Sequence, residues 1–576
     1  MSRFHSLRVS IGIAVAIVPL AILWLVLSAC RPTLYFSGIV HTFDARNSVV
    51  SAVVTHGDRV RFVGSDGAAD AFVKNRYPLP LRLLTRRVDL QGQALMPGFV
   101  DAHSHFLATG LTSILPDLSP PASGGSIDSP DALYDFIARE ASTTPRGDWI
   151  VGFNYDNTAF VSGMHPTRAA LDAVTSEHPV FVRHNSGHMG VANTLALKRL
   201  AADTDLPDSV RQAVRHRLAN FTPTDNSGLL QELAAPPLGW LVLKTPWRHL
   251  IKVVSMATEA YASQGYTTVQ SGSANAATVT LLKWLTRLGW VPQRVIAWPL
   301  HQTASDTLPD TINSRKFLTG AAKLIVDGSP QGYTAHLSQP YHQPLPGTTS
   351  KHQGHSLFTA AQLREVITPY LKADRPLAIH TNGDGAIELV LNALESLLPS
   401  PGAENARRVI LVHAQTMRDD QIERLPALGV TPSYFPGHTW HWGEWHYRQS
   451  LGPTRAAFIS PMRSTQEAGV RISIHTDAPV TPTNSMQLLW MATQRLTQNN
   501  RLLGGAERLT RLQALRAMTI DPAWQNRVDH NRGSIEAGKF ADLVWLSEDP
   551  LSADDVRTIS VVRTIVGGDT IYQMAQ

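Results

Sequence analysis

The chain has only one cysteine among its 576 residues. This scarcity excludes a disulfide framework and any structural zinc site built from several cysteine ligands. Neither basic nor acidic residues are in large excess, because 51 basic residues are interspersed with 46 acidic ones and the net charge is only +5. Nucleic acid is therefore not an expected partner. A G-x-S-x-G motif is also missing, so a serine nucleophile of the α/β-hydrolase type is not expected.

The N-terminal residues 1–30 are predicted to be a signal peptide or a membrane anchor. Two arginines precede an uncharged apolar run over residues 11–27, and this run ends in the tetrapeptide LSAC. The tetrapeptide resembles the lipobox of bacterial lipoproteins, in which the cysteine, here Cys30, receives a lipid. The alternative is an uncleaved helix, because 17 apolar residues reach the lower limit for spanning a membrane. Both interpretations place the body in the bacterial cell envelope, tethered to a membrane and facing the periplasm or the exterior.

Both ends of the remaining chain predict short strands. Residues 33–97 alternate apolar and polar positions in short runs separated by turn residues, which indicates a small β domain. Residues 530–576 repeat this pattern in GSIEAGKFADLVWL and RTISVVRTIVGGDTIY. We expect the two segments to form the N-terminal and C-terminal parts of one composite β-sandwich.

Residues 98–520 carry the pattern of a parallel α/β fold, in which short apolar strands alternate with helical stretches. The eight candidate strands lie in PGFVDAHSH, GYTTVQSG, QRVIAWPLH, AAKLIVDGS, RPLAIHTNGD, RRVILVHAQ, GVTPSYFP and GVRISIHTDAP. Eight strands with interleaved helices favour a (β/α)8 TIM-like barrel, whose functional side chains lie at the C-terminal ends of the strands. The connection between the first two strands is too long for a loop, so residues 107–255 are interpreted as an inserted cap.

Histidines stand at several of these predicted strand ends. His103 and His105 end the first strand, and residues two apart in a strand face the same side. His380 and His413 end the fifth and sixth strands, and Asp477 ends the eighth. With 23 histidines in the chain, an H-x-H motif alone carries little weight. Four histidines and an aspartate meeting on one rim, however, predict a site for zinc or another first-row metal.

Taken together, these motifs resemble the amidohydrolase superfamily of metal-dependent barrel hydrolases. The string PGFVDAHSHF and the later strand-end residues carry the superfamily resemblance. The segments GDWIVGFNYD, PVFVRHNSGHMGVAN, KLIVDGS and GSIEAGKFADLVWLSEDP are similar to the amidohydrolase type 3, or YtcJ-like, branch. The matching segments extend over most of the chain beyond the N-terminal signal.

The resemblance implies a set of metal ligands. They are His103, His105, His380, His413 and Asp477. Asp477 would also act as the catalytic proton shuttle. Lys323 matches the lysine that many members carboxylate to bridge two metals, and Glu232 is the competing carboxylate. Whether one or two ions are held stays open.

Further residues are expected to contact the substrate. His184 and His188 match the R-x-(D/N)-x-G-H pattern of the branch, and Glu232 belongs to the same predicted cap. His438 lies in the aromatic segment GHTWHWGEWHYR just beyond the seventh strand, where pocket walls are built in barrels. Ordinary loop packing is the alternative interpretation of that aromatic segment.

The expected activity is hydrolysis of a carbon–nitrogen bond in a small molecule, such as an amide, N-acyl, formamide or cyclic amide bond. A divalent metal activates water for this chemistry near neutral pH. A lactonase or esterase using the same metal site is the alternative, since the attack on a carbonyl is the same. A non-catalytic binding lipoprotein is a further alternative. The oligomeric state is left open, with a homodimer as one alternative.

The lipobox interpretation predicts the behaviour of a Cys30→Ser variant. Because a hydroxyl cannot replace the thiol that accepts the lipid, the variant should remain an uncleaved and unlipidated precursor. Metabolic labelling with a radioactive fatty acid, with the parent chain as control, measures this. Label that persists in the variant would refute the lipoprotein interpretation, and a parent chain without label would favour the helical anchor.

Overall fold

The computed structural model of the chain describes residues 31–206, 208–219, 227–231, 247–301, 313–344, 351–397 and 409–575. The predicted signal segment with Cys30 and the predicted carboxylate Glu232 lie outside the described residues. None of the helices in the described ranges is both long enough and apolar enough to cross a membrane. The chain divides into two compact units, residues 1–99 with 528–576 and residues 100–527.

The strands are numbered in chain order. They are β1 (Thr33–Phe36), β2 (Ile39–His41), β3 (Val49–Val50), β4 (Ala52–His56), β5 (Arg59–Gly64), β6 (Arg86–Asp89), β7 (Ala94–Pro97), β8 (Phe99–Val100), β9 (Ile150–Tyr155), β10 (Val180–His184), β11 (Met189–Ala192), β12 (Leu229–Gln231), β13 (Tyr266–Ala274), β14 (Arg294–Pro299), β15 (Phe317–Thr319), β16 (Ala322–Ile325), β17 (Leu377–Thr381), β18 (Val409–His413), β19 (Val430–Tyr434), β20 (Ser473–Ile474), β21 (Leu543–Leu546), β22 (Val561–Val566) and β23 (Asp569–Gln573).

The α-helices are described by their bounds. They are Asp66–Arg76, Leu79–Leu83, Phe106–Thr112, Pro130–Thr143, Arg168–Val174, Thr194–Ala202, Asp208–Ala219, Trp247–Ala262, Ala276–Arg287, Ala360–Lys372, Asp384–Leu397, Asp419–Ile422, Leu425–Leu428, Gly437–His441, Gly443–Trp445, Gly452–Ala457, Met462–Glu467, Ser485–Gln494, Arg511–Arg516 and Ile520–Gln525.

The first unit contains two sheets, with strand orders β5-β4-β1-β6 and β23-β22-β21-β7-β2-β3. Strand β7 pairs antiparallel with β21, so both chain ends enter the same sheet. Side chains of both sheets share one buried cluster, which includes Tyr35, Val53, Leu95, Leu543 and Ile565. Because each fully buried aliphatic or aromatic side chain contributes about 1.5–3 kcal/mol, this shared cluster holds the two sheets together.

A helix interrupts the run of strands that the sequence predicts over residues 33–97. Helix Asp66–Arg76 begins after Ser65, whose side chain accepts a hydrogen bond from the Ala68 amide. Its residues Ala69 and Val73 are buried against the neighbouring sheet cluster. These two positions are four residues apart, which is the spacing of apolar residues on one face of a helix. This spacing distinguishes the segment from the neighbouring strands, in which apolar residues alternate.

In the second unit, each of the eight segments predicted as barrel strands contains a strand. These strands are β8, β13, β14, β16, β17, β18, β19 and β20. They belong to two sheets with the orders β15-β14-β13-β8 and β16-β17-β18-β19-β20, and every pair in the second sheet is parallel. Strand β15, which the sequence analysis did not predict, pairs parallel to β14. The second unit is therefore a TIM-barrel-like α/β fold.

Backbone contacts bring the ends of strands from both sheets close together. Leu300 and Lys323 form a parallel bridge, and the His301 amide donates to the Lys323 carbonyl over 2.8 Å. On the other side, the His105 amide donates to the Ala478 carbonyl over 2.7 Å. The segments that follow β8 and β20 are thus adjacent, although His105 and Ala478 are 373 positions apart in sequence.

The described part of residues 107–255 contains a sheet of its own, with the order β12-β11-β10-β9. Helices Pro130–Thr143 and Arg168–Val174 cover it, and a buried cluster with Leu133, Ile150 and Val182 lies beneath them. A segment with its own sheet and its own hydrophobic cluster is not a simple loop. The insertion predicted after the first barrel strand therefore includes packed secondary structure.

Candidate metal centre

The candidate site is built from side chains at the ends of four strands. His103 and His105 follow β8, His380 lies near the end of β17, His413 ends β18, and Asp477 follows β20. The backbone turns sharply at two of these points, because His413 has φ +73° and Asp477 has φ +55°. A residue other than glycine in the left-handed backbone conformation raises the free energy of the folded state by about 1–3 kcal/mol, and such strain is found mainly at functional sites.

The imidazoles and the carboxylate approach one another closely. Asp477 Oδ1 lies 3.4 Å from His103 Nε2 and 3.3 Å from His105 Nε2. His413 Nε2 lies 3.1 Å from His380 Nδ1. Lys323, on β16, is also part of the cluster, with its Nζ 3.2 Å from His103 Nε2. The structure therefore brings together the four predicted histidines, the aspartate and the lysine.

The donor set fits a divalent metal ion. His103, His413 and Asp477 are buried, and each offers one ligand atom within 4.8 Å of the others. Asp477 Oδ1 is buried and accepts no hydrogen bond from the described residues. A buried carboxylate oxygen left without a hydrogen bond is costly unless a cation compensates it. Imidazole nitrogens with a carboxylate oxygen are ligands that zinc and similar first-row ions accept.

Burial keeps the imidazoles in the form that binds metals. Desolvation lowers the pKa of His103, His380 and His413 well below that of a free imidazole, and the charge of Lys323 lowers it further. The neutral ring, which carries a free nitrogen lone pair, is therefore the stable form. Burial also lowers the pKa of Lys323 to about 7, against the opposing charge of Asp477. A neutral Lys323 amine, the form that can be carboxylated, is therefore accessible near neutral pH.

Oxygen acceptors orient three of the four histidines. His103 Nδ1–H donates to Gln270 Oε1 over 3.1 Å, and His105 Nδ1–H donates to the Gly272 carbonyl over the same distance. His380 Nε2–H donates to the Gly328 carbonyl over 3.1 Å. Each bond uses the nitrogen that lies away from the shared space, so the opposite nitrogen faces the cluster with its lone pair.

The carboxylate beside His380 is Asp327, and it also holds a loop. Its Oδ1 lies 3.7 Å from His380 Nε2 and accepts the Asn382 amide, while its Oδ2 accepts the Gly383 amide. Asp384, the acid that follows in HTNGDG, instead accepts hydrogen bonds from Ser338 and Arg418. Asp327, which follows β16, is therefore the acid beside His380, and Asp384 links the start of helix Asp384–Leu397 to Ser338 and Arg418.

The predicted substrate contacts have different surroundings. The His188 ring lies 4.8 Å from the His380 ring, so a residue of the segment inserted after β8 reaches the cluster. Both ring nitrogens of His184 bond within that inserted segment, to Ser186 Oγ at 2.8 Å and Asn157 Oδ1 at 3.0 Å.

His438 is buried beside a second histidine. Its Nδ1 lies 3.0 Å from His446 Nε2, and its ring packs against Phe435 and Trp442. The other two predicted functional positions, Glu232 and Cys30, lie outside the described residues.

Two residues at the site were missed by the sequence analysis. Gln270 lies on β13 and contacts His103 across 167 positions of sequence. His475 lies two residues before Asp477, and its Nε2 is 3.1 Å from His413 Nδ1. The i, i+2 spacing that singles out His103 and His105 also applies to His475 and Asp477, so this signal was present in the sequence.

Comparisons with known proteins found a matching family, similar sequences and a similar fold. The profile described as "Amidohydrolase family" matches residues 86–572. The chain is 28% identical to the N-substituted formamide deformylase of Arthrobacter pascens, with 94% of this chain and 98% of that protein covered. It is 24% identical to the putative amidohydrolase YtcJ of Bacillus subtilis, with coverage of 94% and 99%. The crystal structure of an uncharacterized metal-dependent hydrolase from Pyrococcus horikoshii superimposes with a TM-score of 0.69 at 24% identity, covering 91% and 99%.

Removing imidazoles from the cluster tests the ligand assignment. His380→Ala and His413→Ala should each reduce metal affinity by about 10- to 100-fold or more, because even outer partners of ligands have effects of that size. Elemental analysis after gel filtration measures the bound metal, and His530→Ala, which alters an exposed histidine, is the control. A double variant that keeps its full metal content would refute the assignment.

A glycine next to His103 allows a second test in which no candidate ligand is replaced. A Cβ at position 272 would overlap the His103 ring and lie only 2.9 Å from its Nδ1. Gly272→Ala should therefore displace this imidazole and weaken metal binding by about 10- to 100-fold. Gly67→Ala is the control, since a Cβ there meets nothing within 4 Å. Unchanged metal affinity in Gly272→Ala would contradict the placement of His103.

Proposed function

The chain belongs to the amidohydrolase family and is an enzyme that hydrolyses carbon–nitrogen bonds, and we propose that it does so with a divalent metal at the cluster described above. The residues that would hold the metal are His103, His105, His380, His413 and Asp477. The observation that carries the proposal is the buried Asp477 Oδ1, which lies between two imidazoles and accepts no hydrogen bond from the described residues.

When bound, the metal supplies a Lewis acid that activates water and polarises the carbonyl of the substrate. The remaining chemistry belongs to the chain. Asp477 is the one carboxylate at the centre of the histidine cluster in the described residues, and so it is the group placed to take a proton from the attacking water. The same carboxyl then donates that proton to the substrate nitrogen, so that the carbon–nitrogen bond breaks and a neutral amine leaves.

Lys323 is proposed as an additional anionic ligand after carboxylation. Its amine is buried in contact with His103, and a bare ammonium there would repel a cation. A carbamate would instead supply two oxygens beside the histidines. Glu232 is the alternative source of this carboxylate. The number of metal ions bound per chain, measured by elemental analysis, decides between one ion and two.

We propose N-substituted formamides and other small N-acyl amides as the substrate class. The formamide deformylase relative, which aligns over nearly the whole chain, supports this choice. His188 supports it from the structure, because this cap residue lies against the His380 ring and can contact a substrate bound at the metal. A formyl or small acyl carbonyl needs little space between the cap residue and the ligands.

The setting of the enzyme is also proposed. The eight parallel strands would close into a (β/α)8 barrel with the insertion as a cap, and the two sheets of the first unit would form the composite β-sandwich. Residues 1–30 would tether the enzyme to a membrane, with the catalytic unit outside the inner membrane. The apolar run and the LSAC sequence support this placement.

An Asp477→Asn variant tests the mechanism. The amide keeps the shape of the side chain and one oxygen but loses the proton acceptor, so turnover should fall by about 10²- to 10⁴-fold while most of the metal stays bound. The measurement is kcat on a panel of N-substituted formamides, N-acyl amides and lactones, together with metal content. The control is Asp70→Asn, at an exposed ion pair with Arg87. Near-normal turnover of Asp477→Asn would refute the proposed role of this carboxylate.

A further inference from the structure

His475 is a buried histidine that lies behind the candidate ligand His413. It is only 1% exposed, and its Nε2 lies 3.1 Å from His413 Nδ1. Its other nitrogen, Nδ1, lies 2.9 Å from Ser433 Oγ on the neighbouring strand β19. The ring also stacks on Phe435, with 5.4 Å between ring centroids. Ser433, His475 and His413 thus form a continuous row of hydrogen-bonding groups that ends at the cluster.

The protons along this row have one arrangement that leaves His413 able to bind a metal. The Nε2 of His413 faces the cluster, so it must keep its lone pair free. A neutral imidazole carries one N–H, which must then be on Nδ1 and must donate to His475 Nε2. His475 therefore carries its own proton on Nδ1 and donates it to Ser433 Oγ.

We propose that His475 is a positioning residue, which acts through His413 by fixing the tautomer and the ring orientation of that ligand. This inference rests on the proposed metal-dependent function. It differs from a ligand role, because both nitrogens of His475 already face hydrogen-bonding partners. In this role His475 accepts a hydrogen bond from His413. The other three histidines have the same kind of acceptor: the Gln270 side chain for His103, the Gly272 carbonyl for His105 and the Gly328 carbonyl for His380. With His475 included, all four imidazoles have a partner on the nitrogen that faces away from the cluster.

A matched pair of substitutions separates the hydrogen bond from the volume of the ring. In His475→Gln, the side-chain oxygen can occupy the place of Nε2 and accept from His413 Nδ1. In His475→Asn, the chain is one methylene shorter, so its oxygen falls short of His413. A third variant, His475→Phe, keeps the ring stacked on Phe435 and removes the acceptor.

The readouts are the dissociation constant for Zn²⁺, measured by chelator competition on the full-length chain, and the visible spectrum of the Co²⁺-loaded protein. Loss of an outer partner of a ligand weakens metal binding by about 10- to 100-fold, so we expect that loss in His475→Asn and His475→Phe. The Co²⁺ spectrum should change in the same two variants. His475→Gln should recover most of the affinity and the parent spectrum.

The control is His446→Phe. His446 is equally buried and has the same kind of neighbours, with His438 Nδ1 at 3.0 Å and Ser450 Oγ at 2.8 Å, but its partner histidine is not one of the candidate ligands. This variant should bind Zn²⁺ like the parent. Melting of the metal-free proteins shows whether each variant is folded.

The outcomes separate this inference from the function on which it rests. Weakened binding in the Asn and Phe variants with recovery in the Gln variant supports the positioning role. Parent-like affinity in folded His475→Phe and His475→Asn would overturn it, and so would equal losses in the Gln and Asn variants. A parent chain that binds neither Zn²⁺ nor Co²⁺ would instead overturn the proposed metal-dependent function itself.

Discussion

The site depends on burying several imidazoles, a lysine and a carboxylate together out of water. Burial alone would make each of these polar groups unfavourable, and it lowers the pKa of His103, His380 and His413 and that of Lys323, which favours their neutral forms. Neutral rings lack the like charges of two imidazolium ions, and His413 Nε2 and His380 Nδ1 lie 3.1 Å apart. A cation in the shared space would satisfy the lone pairs and the carboxylate together.

The surrounding fold serves this arrangement in two ways. Parallel strands bring the candidate ligands from distant parts of the chain to one place, and the backbone at His413 and Asp477 is in the left-handed conformation. A second layer of acceptors then fixes each ring, through a glutamine side chain, two backbone carbonyls and another histidine. His413 lies between two buried parallel strands, with Thr381 of β17 and Tyr434 of β19 as its pairing partners.

The strands and the clustering of the candidate ligand residues could be predicted from the sequence because both leave local signals. The apolar runs that end in His380 and His413 can be recognised within about ten residues of sequence. Because the ends of parallel strands meet at one edge of a sheet, these histidines are expected to lie close together. The partners of the ligands leave no such signal: Gln270 meets His103 only after β13 is placed beside the first strand. Helix Asp66–Arg76 was missed because one periodicity was applied to a long segment. Of the partners of His184 and His438, Asn157 lies 27 positions from His184 and meets it only through three-dimensional packing, whereas Ser186 and His446 are 2 and 8 positions away.

X-ray absorption at the metal edge tests the central claim most directly, since it observes the ligands themselves. Full-length protein loaded with Zn²⁺ and freed of unbound ions should show nitrogen and oxygen ligands at about 2.0–2.2 Å. The spectrum should also contain the multiple-scattering pattern of several imidazole rings. A spectrum with oxygen ligands alone, or a protein that retains no metal, would contradict the account of a histidine-rich metal centre at these strand ends.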